Sequence, residues 1–173
     1  MRHLWILRHA KAVQEGRDGD DHSRPLTGRG QRQCVQVASY LADQLSAGAP
    51  TPELVLSSSA VRARRTAEAV HGTLGDGVPL DLERGLYGAD PDDIVDRLRL
   101  VPDETGSVMV VGHNPTLHQL TVLLLSPDDS DGRRIVEDGL PTAAVAHFAL
   151  DVTSWSDVVM GGGHLEDFFV PTK

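Results

Sequence analysis

The residues of this chain that could act together chemically stand just beyond short apolar runs. Leu4-Trp5-Ile6-Leu7 runs into Arg8 and His9, Leu54-Val55-Leu56 runs through Ser57-Ser58-Ser59 to Arg62, and Val108-Met109-Val110-Val111 runs into Gly112-His113-Asn114-Pro115. Buried parallel strands show such runs, and parallel sheets bind ligands in the crevice beyond the carboxyl ends of their strands. The three run ends therefore predict one pocket holding Arg8, His9, Arg62 and His113. That set suits a tetrahedral dianion. Arginine forks match phosphate oxygens bidentately, each charge-assisted hydrogen bond contributing about 1.5–3 kcal/mol. Neutral imidazole, with an ordinary pKa of about 6.5, is available as a nucleophile near neutral pH. A second, protonated histidine could stabilise charge on the equatorial oxygens at phosphorus. Arg24, kept extended by Pro25, could point back toward the first run end as a further phosphate ligand.

The elements that must position these groups are legible in outline. Thr27 is the expected N-cap of a helix with Cys34, Val37, Ala38, Leu41, Ala42 and Leu45 at helical spacing, ending by Gly48. One of Ser57, Ser58 and Ser59 is expected to cap a second helix, from near Ala60 to about Leu74, with Arg62 in its first turn. The helix dipole does not favour a cation there, so Arg62 implies an anion to answer it. Arg64 and Arg65 read instead as solvated or paired with Glu68. Val78-Pro79-Leu80 reads as a short edge strand, and Glu83 to Ala89 as a loop containing Tyr87. Asp90 and Pro91 open a helix whose end suits Arg97 and Arg99. Asn114 and Pro115 supply the cap and first position of a helix through Leu117, Leu120, Thr121 and Leu124. Ser126 to Gly139 reads as a long loop or lid, Ala143–Leu150 and Trp155–Met160 as a terminal hairpin, and Gly161-Gly162-Gly163 as a flexible connection. The charged run from Glu15 to Asp21 reads as a solvent-facing loop.

Composition narrows the function. The 173 residues suit a single domain, 1–173, long enough to bury roughly 70% of the unfolded surface. A lone cysteine, Cys34, excludes an intrachain disulfide, falls on an apolar helix face and fits a reducing cytoplasm. No export leader and no membrane-length apolar run is evident. Sixteen Lys and Arg against 25 Asp and Glu give a net charge of −9, which argues against nucleic acid while leaving room for a small anion in a basic cleft. Metal-dependent hydrolysis is the rival chemistry. It lacks an H-E-x-x-H motif and a cysteine pair, and arginines in the pocket would repel a cation. The oligomeric state is not written in the sequence.

Taken together, L-R-H-A-K-A at the N-terminus, R-P-L-T before the first helix, S-S-S-A-V-R-A-R-R-T-A-E after the second strand and V-V-G-H-N-P after the fourth resemble the histidine phosphatase superfamily, and within it the small SixA-type phosphohistidine phosphatases. The resemblance covers nearly the whole chain. It implies a phosphoglycerate mutase-like α/β fold in three α/β/α layers, with a mostly parallel sheet, helices on both faces and a C-terminal hairpin. It implies that His9 is phosphorylated during turnover, that Arg8, Arg62 and His113 complete the phosphate pocket, and that Arg24 is a further phosphate ligand. No metal or organic cofactor is implied. Many members read R-H-G where this chain has Ala10, which costs no evident chemistry. Larger relatives also supply a carboxylic acid, and here only Glu83 lies in about the right region. An alkoxide leaving group needs a proton that imidazole leaving from a phosphoramidate does not, so phosphohistidine in a protein is the expected substrate. The alternatives are a phosphomonoesterase acting on a nucleotide or sugar phosphate, and an anion-binding module without turnover.

Overall fold

The structure is a computed structural model and describes residues 1–172. Its centre is a six-stranded sheet made of β1 (Arg2–Arg8), β2 (Leu54–Ser58), β3 (Leu80–Glu83), β4 (Ser107–Gly112), β5 (Val145–Leu150) and β6 (Gly163–Phe169), in the order β3-β2-β4-β1-β5-β6. β3, β2, β4 and β1 run parallel, whereas β5 is antiparallel to β1 and β6 to β5. The parallel strands read as continuous apolar runs because both of their faces are covered. Leu4 and Ile6 of β1 join one core cluster, and Trp5 and Leu7 join the other. Each such fully buried side chain contributes about 1.5–3 kcal/mol of transfer free energy.

Helices α1 (Gly28–Ser46) and α2 (Val61–His71) cover the Trp5 face, and α3 (Pro91–Arg99), α4 (Thr116–Leu124) and α5 (Ser130–Val136) cover the Leu4 face. This is the expected three-layer α/β arrangement. Thr27 caps α1 by accepting from the Gly30 amide at 3.0 Å, and Asp90 with Asp93 forms a capping box on α3. Cys34 is buried on the inner face of α1. Trp5 to Leu7 aligns with Met109 to Val111 on β4, so the ends of β1 and β4 place Arg8 beside Gly112.

Five local expectations are corrected. β3 begins at Leu80 and carries Glu83, while Val78 and Pro79 only lead into it. The segment from Ser126 to Gly139 holds α5, capped where the Asp129 side chain accepts from the Gly132 amide at 2.8 Å. The hairpin partner of β5 is Gly163–Phe169, not Trp155–Met160. Trp155 to Asp157 is a single helical turn with a fully buried indole, and Gly163 is the first residue of β6 rather than part of a flexible connection. Finally, α4 starts at Thr116 with Pro115 at its N-cap, the Asn114–Pro115 peptide is cis, and Asn114 does not cap. No helix among the described residues is long and apolar enough to cross a membrane.

Candidate active site

The carboxyl ends of β1, β2 and β4 surround a cavity of about 210 Å³ lined by Arg8, His9, Arg24, Arg62 and His113, together with Lys11, Ala12, Asn114 and Thr142. All five residues expected to share a pocket line it. Apart from Ala12 the lining is polar, and three of these five residues carry guanidinium groups.

His9 is 8% exposed and its ring orientation is fixed by one contact. Its Nδ1 lies 2.8 Å from the Ala10 carbonyl oxygen, which can only accept, so Nδ1 carries the proton and Nε2 keeps its lone pair. Arg62 Nε donates to that Nε2 at 3.3 Å. Burial first, then the cations of Arg62, Arg8 and Arg24, lower the His9 pKa to about 4, against the opposing Ala10 contact. The nucleophilic form is therefore the resident form at neutral pH. His113 sits with its ring centroid 5.1 Å from that of His9 and pairs through Nε2 with Ser58 Oγ at 2.8 Å. Burial, His9 and Arg62 lower its pKa to about 3. In the free site, then, His113 is neutral rather than protonated as expected.

The arginines are held by backbone as much as by side chains. Arg8 Nη1 and Asn114 Nδ2 both donate to the Leu140 carbonyl, at 2.8 and 2.9 Å. Arg24 Nε donates to the Val13 carbonyl at 2.7 Å. Arg62, 6% exposed in the first turn of α2, donates through Nη1 to the Asp21 carbonyl at 2.7 Å and through Nη2 to Asp21 Oδ2 at 3.0 Å. Arg8 Nε and His113 Nδ1 are buried without a hydrogen-bond partner among the described residues. A buried donor left unpaired is costly unless a ligand answers it.

Asp21 is the residue that sequence reasoning missed. It lay at the end of a charged run that reads as solvated loop, yet its carboxylate also accepts from Arg24 Nη1 at 2.8 Å and from the Tyr87 hydroxyl. Those bonds, Tyr87's first, hold its carboxyl well below the usual range. The R-P-L-T motif gave a faint signal, since Asp21 precedes Arg24 by one helical turn. Two further positioning groups were missed. Thr66 Oγ1 accepts from the Ala10 amide at 2.9 Å and donates to the Arg62 carbonyl at 2.7 Å, tying β1 to α2. Gln33 accepts from the Lys11 amide at 2.8 Å and donates to Thr142. No serine side chain caps α2, whose N-cap is Ala60: Ser58, the last residue of β2, meets His113 and accepts from the Ala60 amide at 3.3 Å, and Ser59 meets His22 at 2.9 Å. Arg64 and Arg65 pair with Glu68, as the sequence indicates. Glu83 does not line the cavity; it is bound to Arg97 Nε at 2.7 Å. No group of three or more His, Cys, Asp or Glu among the described residues is arranged to hold a metal ion.

The model of the histidine phosphatase superfamily (branch 1) matches residues 4–98. The chain belongs to this superfamily. An uncharacterized protein of Mycobacterium tuberculosis is 33% identical over 168 residues, covering 95% of this chain and 99% of the relative. Among solved structures, one named provisionally as the phosphohistidine phosphatase SixA of Agrobacterium tumefaciens is 27% identical, covers 99% of each chain and superposes with a TM-score of 0.81. The protein histidine phosphatase SixA complexed with tungstate is 25% identical, with 96% of this chain and 95% of that chain covered and a TM-score of 0.74. This histidine phosphatase thus has the SixA-type, phosphoglycerate mutase-like fold expected from its four motifs, and it is a phosphatase.

Proposed function

We propose that this phosphatase hydrolyses phosphohistidine carried on a protein, without a cofactor, through a covalent phosphohistidine at His9. In the first step His9 Nε2 attacks phosphorus and the phosphorus–nitrogen bond of the substrate breaks. A substrate ring protonated at its other nitrogen leaves as neutral imidazole, so no proton need reach the departing atom. His9 keeps its Nδ1 proton on the Ala10 carbonyl throughout. In the second step water attacks phosphorus, its proton stays with the released phosphate, and His9 departs as neutral imidazole. Arg8, Arg24 and Arg62 hold the equatorial oxygens. His113 stabilises their charge, taking a proton when the dianion outweighs the cations that keep it neutral in the free site.

One observation supports phosphohistidine over a phosphomonoester. No carboxyl group lines the cavity, because Glu83 is committed to Arg97 and Asp21 is kept ionised by its arginine and tyrosine partners. The lining thus holds no carboxylic acid to protonate an alkoxide leaving group. The tungstate complex of the SixA protein supports an oxyanion site in a relative of the same fold.

The test is phosphate release, with chelator present, from a histidine-phosphorylated protein and a panel of nucleotide and sugar phosphates. The expected result is a kcat/KM for phosphohistidine at least about a hundredfold above every monoester, from the general-acid contribution the site forgoes. A monoester hydrolysed as fast as phosphohistidine would overturn the reading.

A further inference from the structure

Two residues beyond His9, Lys11 lines the phosphate cavity and is itself exposed, which places it at the mouth. Its backbone is fixed against the start of α1. The Lys11 amide donates to Gln33 Oε1 at 2.8 Å, and its carbonyl accepts from the Thr27 amide at 2.9 Å and from the Thr27 hydroxyl at 3.1 Å. Gly30 gives that carbonyl its room, because a Cβ there would stand 2.1 Å from the oxygen. The ammonium group, by contrast, takes part in none of the ion pairs among the described residues. The fold holds the stem and leaves the charge free.

The charges in the cavity say what that ammonium is left to meet. Arg8, Arg24 and Arg62 line the cavity, and the Asp21 carboxylate, 2.8 Å from Arg24 and 3.0 Å from Arg62, offsets one of their charges. Two positive charges remain to answer the two negative charges of a phosphoryl dianion, and a proton taken up by His113 only adds to the positive side. Lys11 is therefore in surplus, and no carboxylate lines the cavity to absorb it. The start of α1, packed on the Lys11 backbone, is positive as well. It carries the exposed Arg29 and Arg32 and no acid in its first turn, although the helix dipole disfavours cations there, and neither arginine enters an ion pair among the described residues. In a chain with a net charge of −9, this edge attracts an anionic part of a substrate that the rest of the surface repels.

We propose that Lys11 is a second anion site, which binds the carboxylate of an acidic residue flanking the phosphohistidine of a protein substrate. Lys11 stands at most about 7 Å of chain from His9, and a carboxylate one or two positions from the phosphohistidine is separated from it by the same length. A lone ammonium without an arginine fork suits the single charge of a carboxylate rather than a second phosphoryl dianion. The proposal rests on the phosphohistidine reading above and adds the sequence context of the substrate: an acidic neighbour favours turnover and a basic neighbour opposes it.

The experiment compares wild type, Lys11→Gln and Lys11→Glu on three phosphohistidine peptides that differ only in carrying glutamate, glutamine or lysine beside the phosphohistidine, with a sugar bisphosphate as a fourth substrate. The expected result for wild type is a kcat/KM about three- to fivefold higher on the glutamate peptide than on the glutamine peptide at low ionic strength, shrinking toward parity at about 0.5 M salt. Lys11→Gln is expected to bring that ratio to about one, and Lys11→Glu to invert the preference in favour of the lysine peptide, a gain that misfolding cannot imitate. A wild-type ratio near one, or a ratio that Lys11→Gln leaves unchanged, overturns the anion site while leaving the phosphohistidine reading intact. So does an equal loss on all three peptides, which would make Lys11 a ligand of the phosphoryl group itself. A bisphosphate turned over faster than the glutamate peptide, with the loss in Lys11→Gln confined to it, assigns the ammonium to a second phosphate and overturns the proposal. Failure of wild type to hydrolyse any of the peptides removes the phosphohistidine reading and the anion site together.

Discussion

Asp21→Asn separates two roles that the geometry could give one carboxylate. Asp21 either competes with substrate phosphate for Arg62 and Arg24, or holds those guanidinium groups where phosphate needs them. Arg62 Nη1 and Nη2 are both committed to Asp21, which leaves Nε aimed at His9 Nε2 at 3.3 Å. That is the positioning arrangement, because the Nε that would meet phosphate on His9 is fixed by the bonds on the far side of the same plane. Asparagine keeps the size and one acceptor but loses charge assistance to Nη2 of Arg62 and Nη1 of Arg24. Two such bonds are worth about 3–6 kcal/mol if buried. The Asp21 side chain is 51% exposed, and Arg62 retains its bond to the Asp21 backbone carbonyl, so the effective loss is about 1–2 kcal/mol. That predicts kcat/KM for phosphohistidine lower by about 5- to 30-fold, with inhibition by tungstate weakened as well. Because the Asp21 carboxyl is held well below the usual range, the ratio of variant to wild type stays constant from pH 5 upward. Steady-state kinetics against pH with tungstate competition are the assay. A variant that turns over faster or binds tungstate more tightly would refute positioning and leave competition.

Other expectations follow from single contacts. Glu83→Gln leaves both phosphohistidine and monoester turnover within about threefold, since Glu83 is tied to Arg97 outside the cavity; a loss confined to monoesters would reinstate it as an acid. Gly30→Ala sets a Cβ 2.1 Å from the Lys11 carbonyl oxygen, so urea denaturation should show about 1–3 kcal/mol lost, with reduced activity because Lys11 borders the cavity; wild-type stability would contradict the packing. His147 stacks on Trp5 with ring centroids 3.9 Å apart, and burial, then the charge of His3, lowers its pKa to about 4. The unfolded chain takes up that proton below about pH 6.5 and the fold does not until about 4. Stability from neutral His147 is therefore complete above pH 6.5 and lost as pH falls toward 4. His147→Phe should flatten that acid decline by up to about 3 kcal/mol, and an unchanged pH slope in urea midpoints would count against it.

What was legible in the sequence was whatever local chemistry dictated. Strands buried on both faces leave unbroken apolar runs, so β1, β2 and β4 and the polar residues ending them could be read directly. Caps such as Thr27 and Asp90 were legible because a side-chain oxygen acts within its own turn. The misreadings share a different cause. Trp155 to Met160 has strand-like composition, but the indole of Trp155 is drawn under the sheet by a bond to the Thr105 carbonyl, 50 residues away. The true edge strand, β6, reads Gly-His-Leu-Glu-Asp-Phe-Phe, with no sustained alternation, and pairs through a register shift at His147 and Phe148, which blurs its period. α5, of seven residues, is too short for periodicity to stand out. Asp21 escaped because its partners, Arg62 and Tyr87, are 41 and 66 residues away. The neutrality of His113 in the free site comes from burial that no spacing encodes.

Trapping the phosphorylated enzyme decides whether His9 is the nucleophile. Wild type and His9→Ala are mixed with a histidine-phosphorylated protein, quenched in base within milliseconds, and mapped by mass spectrometry. The expected result is one acid-labile, base-stable phosphoryl group on His9 in wild type, none in His9→Ala, and turnover of the variant lower by at least about a thousandfold. A phosphoryl group on another residue, or a His9→Ala enzyme that still turns over, would contradict it.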